Sequence, residues 1–291
     1  MQREKLKKFL IQMKDVGFTD IPDLHKKMKD AGHSGRQKMT CPPKPAVSRP
    51  LTPEHSDGER AGEAMRENEE QGLDGVKNNK KRVPFDKAAL LAELRKKYSA
   101  CKMCPLSKSR TKIVFGEGNP GADLMFIGEG PGFDEDHKGM PFIGRAGQLL
   151  TKILENGMRI RRDDVYITNI VKCHPMKDPS NPEKRGNDRP PDILEVQKCF
   201  HILLEQIRII RPKIICSLGA PATKVILGKE IGISQVRGKI FDIRILPDEP
   251  QFEVKVVPTF HPAYLLRNPP AKKPAWEDIK VIMRLLEMSA G

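Results

Sequence analysis

The sequence predicts an α/β fold built on a short, mostly parallel sheet that helices cover on both faces. Three observations carry this reading. From residue 86 onward, apolar runs of strand length alternate with longer runs of helical periodicity, the order that parallel sheets require. Two of the strand runs, "ADLMFI" at 122–127 and "KIICSLG" at 213–219, are almost wholly apolar, as strands buried on both faces are. No internal repeat is visible that would point to a solenoid instead.

In chain order, residues 1–33 place Leu6, Phe9, Leu10 and Met13, then Phe18, Ile21, Leu24 and Met28, at helical spacing and predict a small helical N-terminal segment. The alternative is an amphipathic segment that orders only on a partner, either another protein or nucleic acid. Residues 34–85 form a predicted disordered linker, rich in Pro, Glu, Lys and Gly and without Phe, Tyr or Trp until Phe85. Residues 86–291 are the predicted α/β domain. It opens with a helix over 85–100, followed by a strand at 122–130, a helix at 145–157, a strand at 164–173 and a helix at 193–210. A strand at 213–219, a helix at 220–228, a strand at 252–262 and a final helix at 276–288 complete it. Ligands of such sheets bind where loops leave the strand C-termini. The loops after the first, second and last strands, "GEGPG", "TNIVKC" and "TFHPAYLLR", are therefore expected to converge on one cleft.

Bulk composition narrows the function classes. Of 291 residues, 38% are hydrophobic and 31% charged, enough for a sizeable core. The net charge is +14, and residues 86–291 alone hold 34 Lys/Arg against 25 Asp/Glu. That excess suits a polyanionic partner, although a solvated surface of ordinary positive excess explains it equally well. No apolar run is long enough to span a bilayer, and the N-terminus lacks a signal peptide's pattern, so a soluble, intracellular protein is expected.

The cysteines and three loops carry the candidate chemistry. Cys101 and Cys104 form a C-x-x-C pair, Cys173 follows a strand and Cys199 lies in a helix. Four thiolates from separate elements suit a tetrahedral zinc or an iron–sulfur cluster, and spacing alone does not choose between them. Cys216 reads as a core thiol and Cys41 falls in the linker.

"GEGPGFDED" at 128–136 makes a poor phosphate cradle: Pro131 lacks an amide donor, and Asp134, Glu135 and Asp136 would repel an anion. Its glycines instead admit a flat neutral ligand, with Glu129 or Glu135 placing a water or facing a developing cation. Phe142 offers a stacking face, or else plain core packing, and Asn169 offers a donor and an acceptor that match the O4 and N3–H edge of a pyrimidine, or else forms a turn. His261 is placed to hydrogen-bond a leaving base, while Leu265, Leu266 and Arg267 suit a wedge that enters a duplex. The bland alternative at this last site is a helix capped by His-Pro with Leu in the core.

Taken in order, "CKMCPL" at 101–106, "GEGPGFDED" at 128–136, "GMPFIGRAGQLL" at 139–150, "VYITNIVKC" at 165–173 and "HPAYLLR" at 261–267 resemble the family-4 uracil-DNA glycosylases. The resemblance spans about residues 95–288. It implies an α/β/α sandwich, a structural [4Fe–4S] cluster on Cys101, Cys104, Cys173 and Cys199, and hydrolysis of the N-glycosidic bond of uracil in single- or double-stranded DNA by a monomeric repair enzyme. It further implies that Glu129, Gly130 and Pro131 wall the uracil pocket, Glu135 handles the catalytic water, Phe142 stacks, Asn169 recognises uracil and His261 meets the base O2.

Phe133 departs from the pattern, since many members carry an acidic or polar residue there. A related branch traps a covalent sugar adduct through a basic, histidine-bearing insert after the third cysteine. Residues 174–190 contain His174 but not that insert, so ordinary turnover is expected. Two rival readings are a non-catalytic iron–sulfur protein that binds damaged DNA, and an iron–sulfur electron carrier.

Overall fold

The computed structural model describes residues 86–287; the expected helical segment at 1–33 and the linker at 34–85 lie outside them. Helix α1 (Lys87–Tyr98) starts where Asp86 Oδ1 accepts the Ala89 N–H at 3.0 Å, and it ends with Arg95, Lys96 and Lys97 beside the carbonyl pole. After it come edge strand β1 (Glu117–Gly118), central strand β2 (Leu124–Gly128), helix α2 (Phe133–Lys138) and helix α3 (Arg145–Lys152). Strand β3 (Tyr166–Asn169), helix α4 (Ile193–Ile210), strand β4 (Ile214–Leu218) and helix α5 (Gly219–Leu227) follow. The chain closes with α6 (Ile233–Val236), β5 (Phe241–Ile243), β6 (Val254–Thr259), α7 (Pro262–Arg267) and α8 (Lys272–Leu285).

The sheet runs β1-β3-β2-β4-β6-β5, with four parallel strands inside and an antiparallel strand at each edge. Period-2 alternation then sorts the side chains into two cores. Met125, Ile127, Ile215 and Val256 pack with residues of α1, α4 and α5, including Leu91, Leu203 and Ile226. Leu124, Phe126, Ile214, Cys216 and Val257 pack on the other face with Leu150 of α3 and Ile279 and Ile282 of α8. The result is the three-layer α/β/α sandwich expected, with Cys216 in its core. Phe126 is fully buried at the centre, and truncating such a ring to Ala costs about 3–5 kcal/mol.

Register sets where the site lies. Gly128 pairs with Asn169 across β2 and β3, and Leu218 pairs with Thr259 across β4 and β6, so all four parallel strands end in one row. The chain leaves β2 for β3 on one side and returns through α4 to β4 on the other, which opens a crevice at the ends of β2 and β4.

Several elements differ from the sequence-based expectation. The predicted strand at 164–173 stops at Asn169 because its partner β2 stops at Gly128. The acidic stretch after "GEGPG" is helix α2, whose first turn holds Asp134, Glu135 and Asp136 where the positive helix pole favours them. Edge strands β1 and β5, of two and three residues, are too short to show a period.

Candidate active site

The row of strand ends opens into a cleft of about 750 Å³. Glu129, Gly130, Pro131, Glu135, Phe142, Asn169 and His261 all line it, so the three loops expected to converge do so. Asp188, Gly219 and Tyr264 line it too, and the motif reading did not single them out.

Gly128 and Gly219 hold the walls at close range. A Cβ at Gly128 would lie 2.4 Å from Asn169 Oδ1 and 2.5 Å from Phe142 Cζ, so only glycine lets these two side chains meet over the end of β2. Gly219 sits at φ +84°, and its missing Cβ would stand 3.0 Å from His261 Cβ. Phe142 has a left-handed backbone (φ 51°), unusual for an aromatic residue, and its ring lies 5.6 Å from that of His261.

His261 caps α7. Its Nδ1 accepts the Ala263 N–H at 3.1 Å, which places the ring proton of the neutral imidazole on Nε2. Burial, and secondarily the Arg267 charge, pushes its pKa down to about 4, so a neutral N–H donor is what the cleft offers at physiological pH.

Asn169 is 1% exposed and its Oδ1 has no hydrogen-bond partner, nor has Oε1 of Glu129. A buried acceptor left unmet costs about 1–3 kcal/mol, so the cleft stores a preference for a ligand that brings donors. Burial likewise pushes the Glu129 carboxyl above the usual range.

Glu135 Oε1 accepts two backbone N–H groups, from Ile143 at 3.0 Å and Gly144 at 2.9 Å. Its other oxygen faces the glycine loop: a Cβ at Gly132 would lie 3.1 Å from Glu135 Oε2 and 3.6 Å from Asp188 Oδ1. Two carboxylates therefore flank one small space. Asp188 is turned there by buried His174, whose Nε2 stands 2.7 Å from Asp188 Oδ1. Asp134 is drawn outward to Arg185, and Asp136 is fully buried with Oδ2 accepting the Thr111 N–H, which leaves Glu135 as the acid of that turn in the cleft. Phe133 stacks on His137 at 4.1 Å and under Arg185 at 4.4 Å, and it does not line the cleft.

The wedge expectation needs one correction. Leu265 is 2% exposed and packs with Ala271 and Ala275, because helical spacing from the His261 cap turns it inward. Leu266 and Arg267 remain exposed, with Tyr264 beside them.

Beyond the end of β3, Cys173 joins Cys101, Cys104 and Cys199 in lining a single chamber. Arg110 spans it, donating to Cys101 O at 2.7 Å and approaching Cys173 Sγ at 3.5 Å, and the Lys172 N–H donates to Cys199 Sγ at 3.3 Å. Burial pushes the Cys173 thiol up to about 12 and the Cys199 thiol up to about 11. Among the described residues, no three His, Cys, Asp or Glu side chains close tightly around one point as a single metal ion requires. No helix among them is long and apolar enough to cross a membrane.

Comparison with known proteins agrees with this geometry. Residues 115–280 match the model of the uracil DNA glycosylase superfamily. The type-4 uracil-DNA glycosylase of Thermotoga maritima is 44% identical over 186 residues, covering 63% of this chain and 87% of that protein. That of Sulfurisphaera tokodaii is 41% identical (67% and 84% covered), and that of Archaeoglobus fulgidus is 38% identical (67% and 92% covered). On the family match over residues 115–280 and these identities, this protein belongs to the uracil DNA glycosylase superfamily, in its type-4 branch.

Proposed function

We propose that the protein is a DNA-repair enzyme that removes uracil from DNA by hydrolysing its N-glycosidic bond. The observation that carries this is one cleft holding an unmet acceptor, Asn169 Oδ1, a neutral imidazole donor, His261, and a carboxylate, Glu135.

Extrusion of the nucleotide comes first, because no side chain reaches the glycosidic bond inside a stacked duplex. Phe142 stacks on the extruded ring. Asn169 Oδ1 receives the uracil N3–H and its amide donates to O4; cytosine presents an acceptor at N3 and a donor at C4, so both contacts turn repulsive.

As the C1′–N1 bond breaks, its electron pair passes to the base and positive charge grows on the sugar. His261 Nε2–H stabilises the negative charge at uracil O2, and Glu135 opposes the cation. Water held between Glu135 Oε2 and Asp188 attacks C1′, and its proton leaves through the carboxylate to solvent. Preorganised groups of this kind are typically worth about 10²–10³ in rate.

Cys101, Cys104, Cys173 and Cys199 are the residues that hold the [4Fe–4S] cluster in this reading. Burial holds the Cys173 and Cys199 thiols protonated on their own, so bound iron would supply the charge that their thiolates need. When bound, the cluster serves as a structural tie between the end of α1, the end of β3 and α4.

The non-catalytic rival rests on Phe133 and on the basic N-terminal extension; Phe133 packs outside the cleft and no longer supports it, while the extension lies outside the described residues. The deciding experiment is excision from single- and double-stranded oligonucleotides bearing uracil or cytosine. The expected outcome is abasic product from uracil only, with Asn169→Asp slowing uracil release about tenfold or more and admitting some cytosine. Wild-type protein without abasic product would overturn the proposal and leave the damage-binding and electron-carrier readings.

A further inference from the structure

We propose that Lys172 is a positioning residue that couples the four-cysteine chamber to base recognition by Asn169, an inference that rests on the reading of both sites given above. Lys172 immediately precedes Cys173, lines the same chamber and is 1% exposed. A buried amino group is costly unless its polar hydrogens are used. Here Nζ donates to Thr168 Oγ1 at 2.6 Å, Asn169 O at 2.7 Å and Gln206 Oε1 at 2.7 Å. A site that needed only filled volume would hold Met or Leu. What the amino group adds is directed contact with three acceptors, one of them the last carbonyl of β3, on the very residue proposed to read the base.

The backbone of Lys172 faces the other way. Its N–H donates to Cys199 Sγ at 3.3 Å, and its carbonyl accepts the Val114 N–H at 2.8 Å. Cys199 and Gln206 are seven residues apart, two turns along the same face of α4, so one rigid helix carries both a chamber thiol and an acceptor for Lys172 Nζ. Movement of the chamber wall therefore displaces Lys172, and displacement of Lys172 frees the Asn169 carbonyl. The chamber sets the aim of the base-reading amide as well as holding the fold.

The test is a double-mutant cycle on iron-loaded protein, with iron content, melting temperature and single-turnover uracil excision measured on each variant. Lys172→Met is expected to keep its iron and to slow excision at least tenfold. Combined with Asn169→Ala, it is expected to add nothing further, since Lys172 is proposed to act only through the Asn169 side chain that the second change removes. Thr168→Val, which is nearly isosteric and takes away one acceptor, is expected to slow excision several-fold with the same non-additivity, and it serves if Lys172→Met does not fold.

A purely structural lysine would lower the melting temperature but leave the excision rate of folded, iron-loaded protein unchanged. That result, or losses that multiply with Asn169→Ala, overturns the coupling. Wild-type excision in Asn169→Ala would instead overturn the reading of Asn169, and iron-free wild-type protein that of the chamber; either removes the foundation in a way separable from the coupling itself.

Discussion

Acidification should weaken this fold through His261 while leaving its donor form intact over most of the range. The imidazole titrates at about 4 when folded, against 6.5 ordinarily. Between those values the unfolded chain binds a proton that the folded chain refuses, so stability is lost as pH falls through that window. At about 1.4 kcal/mol per pKa unit the gap amounts to roughly 3 kcal/mol, an upper bound because the ring is partly open to the cleft. His261→Asn isolates the effect, since Asn still offers an acceptor at the cap of α7 but nothing that protonates. Urea unfolding of both proteins from about pH 7 to about pH 4 should show their stability difference shrinking by roughly 2–3 kcal/mol. The His261 ring resonance should stay in its neutral position at about pH 5.5. A stability difference that is flat with pH, or a ring that titrates near its ordinary value, would refute the neutral-donor argument.

Other perturbations probe the remaining parts. Glu135→Gln keeps an oxygen for the Ile143 and Gly144 amides but loses the charge. It should lower single-turnover cleavage of a U·G duplex by about 10²–10³-fold with affinity for abasic DNA nearly unchanged. Gly128→Ala drives a methyl into Asn169 Oδ1 and the Phe142 ring, so excision should fall below detection while circular dichroism still reports a folded sheet. Cys173→Ser should lower iron content and melting temperature together; full iron loading in that variant would remove Cys173 from the ligand set.

What the sequence made legible follows the physics of each element. Near-continuous apolar runs announced β2 and β4, and the alternation with helices located the strand ends, hence the cleft. Glycine and proline spacing announced the loop at 128–132 because those residues alone tolerate its close approaches. Asp188 gave no such signal. It lies in a loop with no period, held by side-chain bonds that only the fold creates: Asn187 caps Asp178 O and Asn181 O, and Arg189 grips buried Glu195. Leu265 misled because an apolar pair beside a cation reads equally as wedge or as core. Only the phase of α7, fixed by the His261 cap, separates Leu265 inside from Leu266 outside.

That same dependence on the assembled fold explains why Phe142 tolerates a left-handed backbone. The conformation costs about 1–2 kcal/mol for a residue with a Cβ. Glu135 Oε1 offsets it through two hydrogen bonds to the next two amides, each worth about 1.5–3 kcal/mol when the acceptor is charged. Gly147 completes the arrangement, since any Cβ there would stand 1.8 Å from the Phe142 carbonyl oxygen. One carboxylate oxygen thus fixes the backbone that carries Phe142 while its partner faces the space shared with Asp188. In the proposed mechanism, a ring laid on Phe142 would be placed against the Glu135 carboxylate by the same few bonds, which ties the geometry of binding to that of attack.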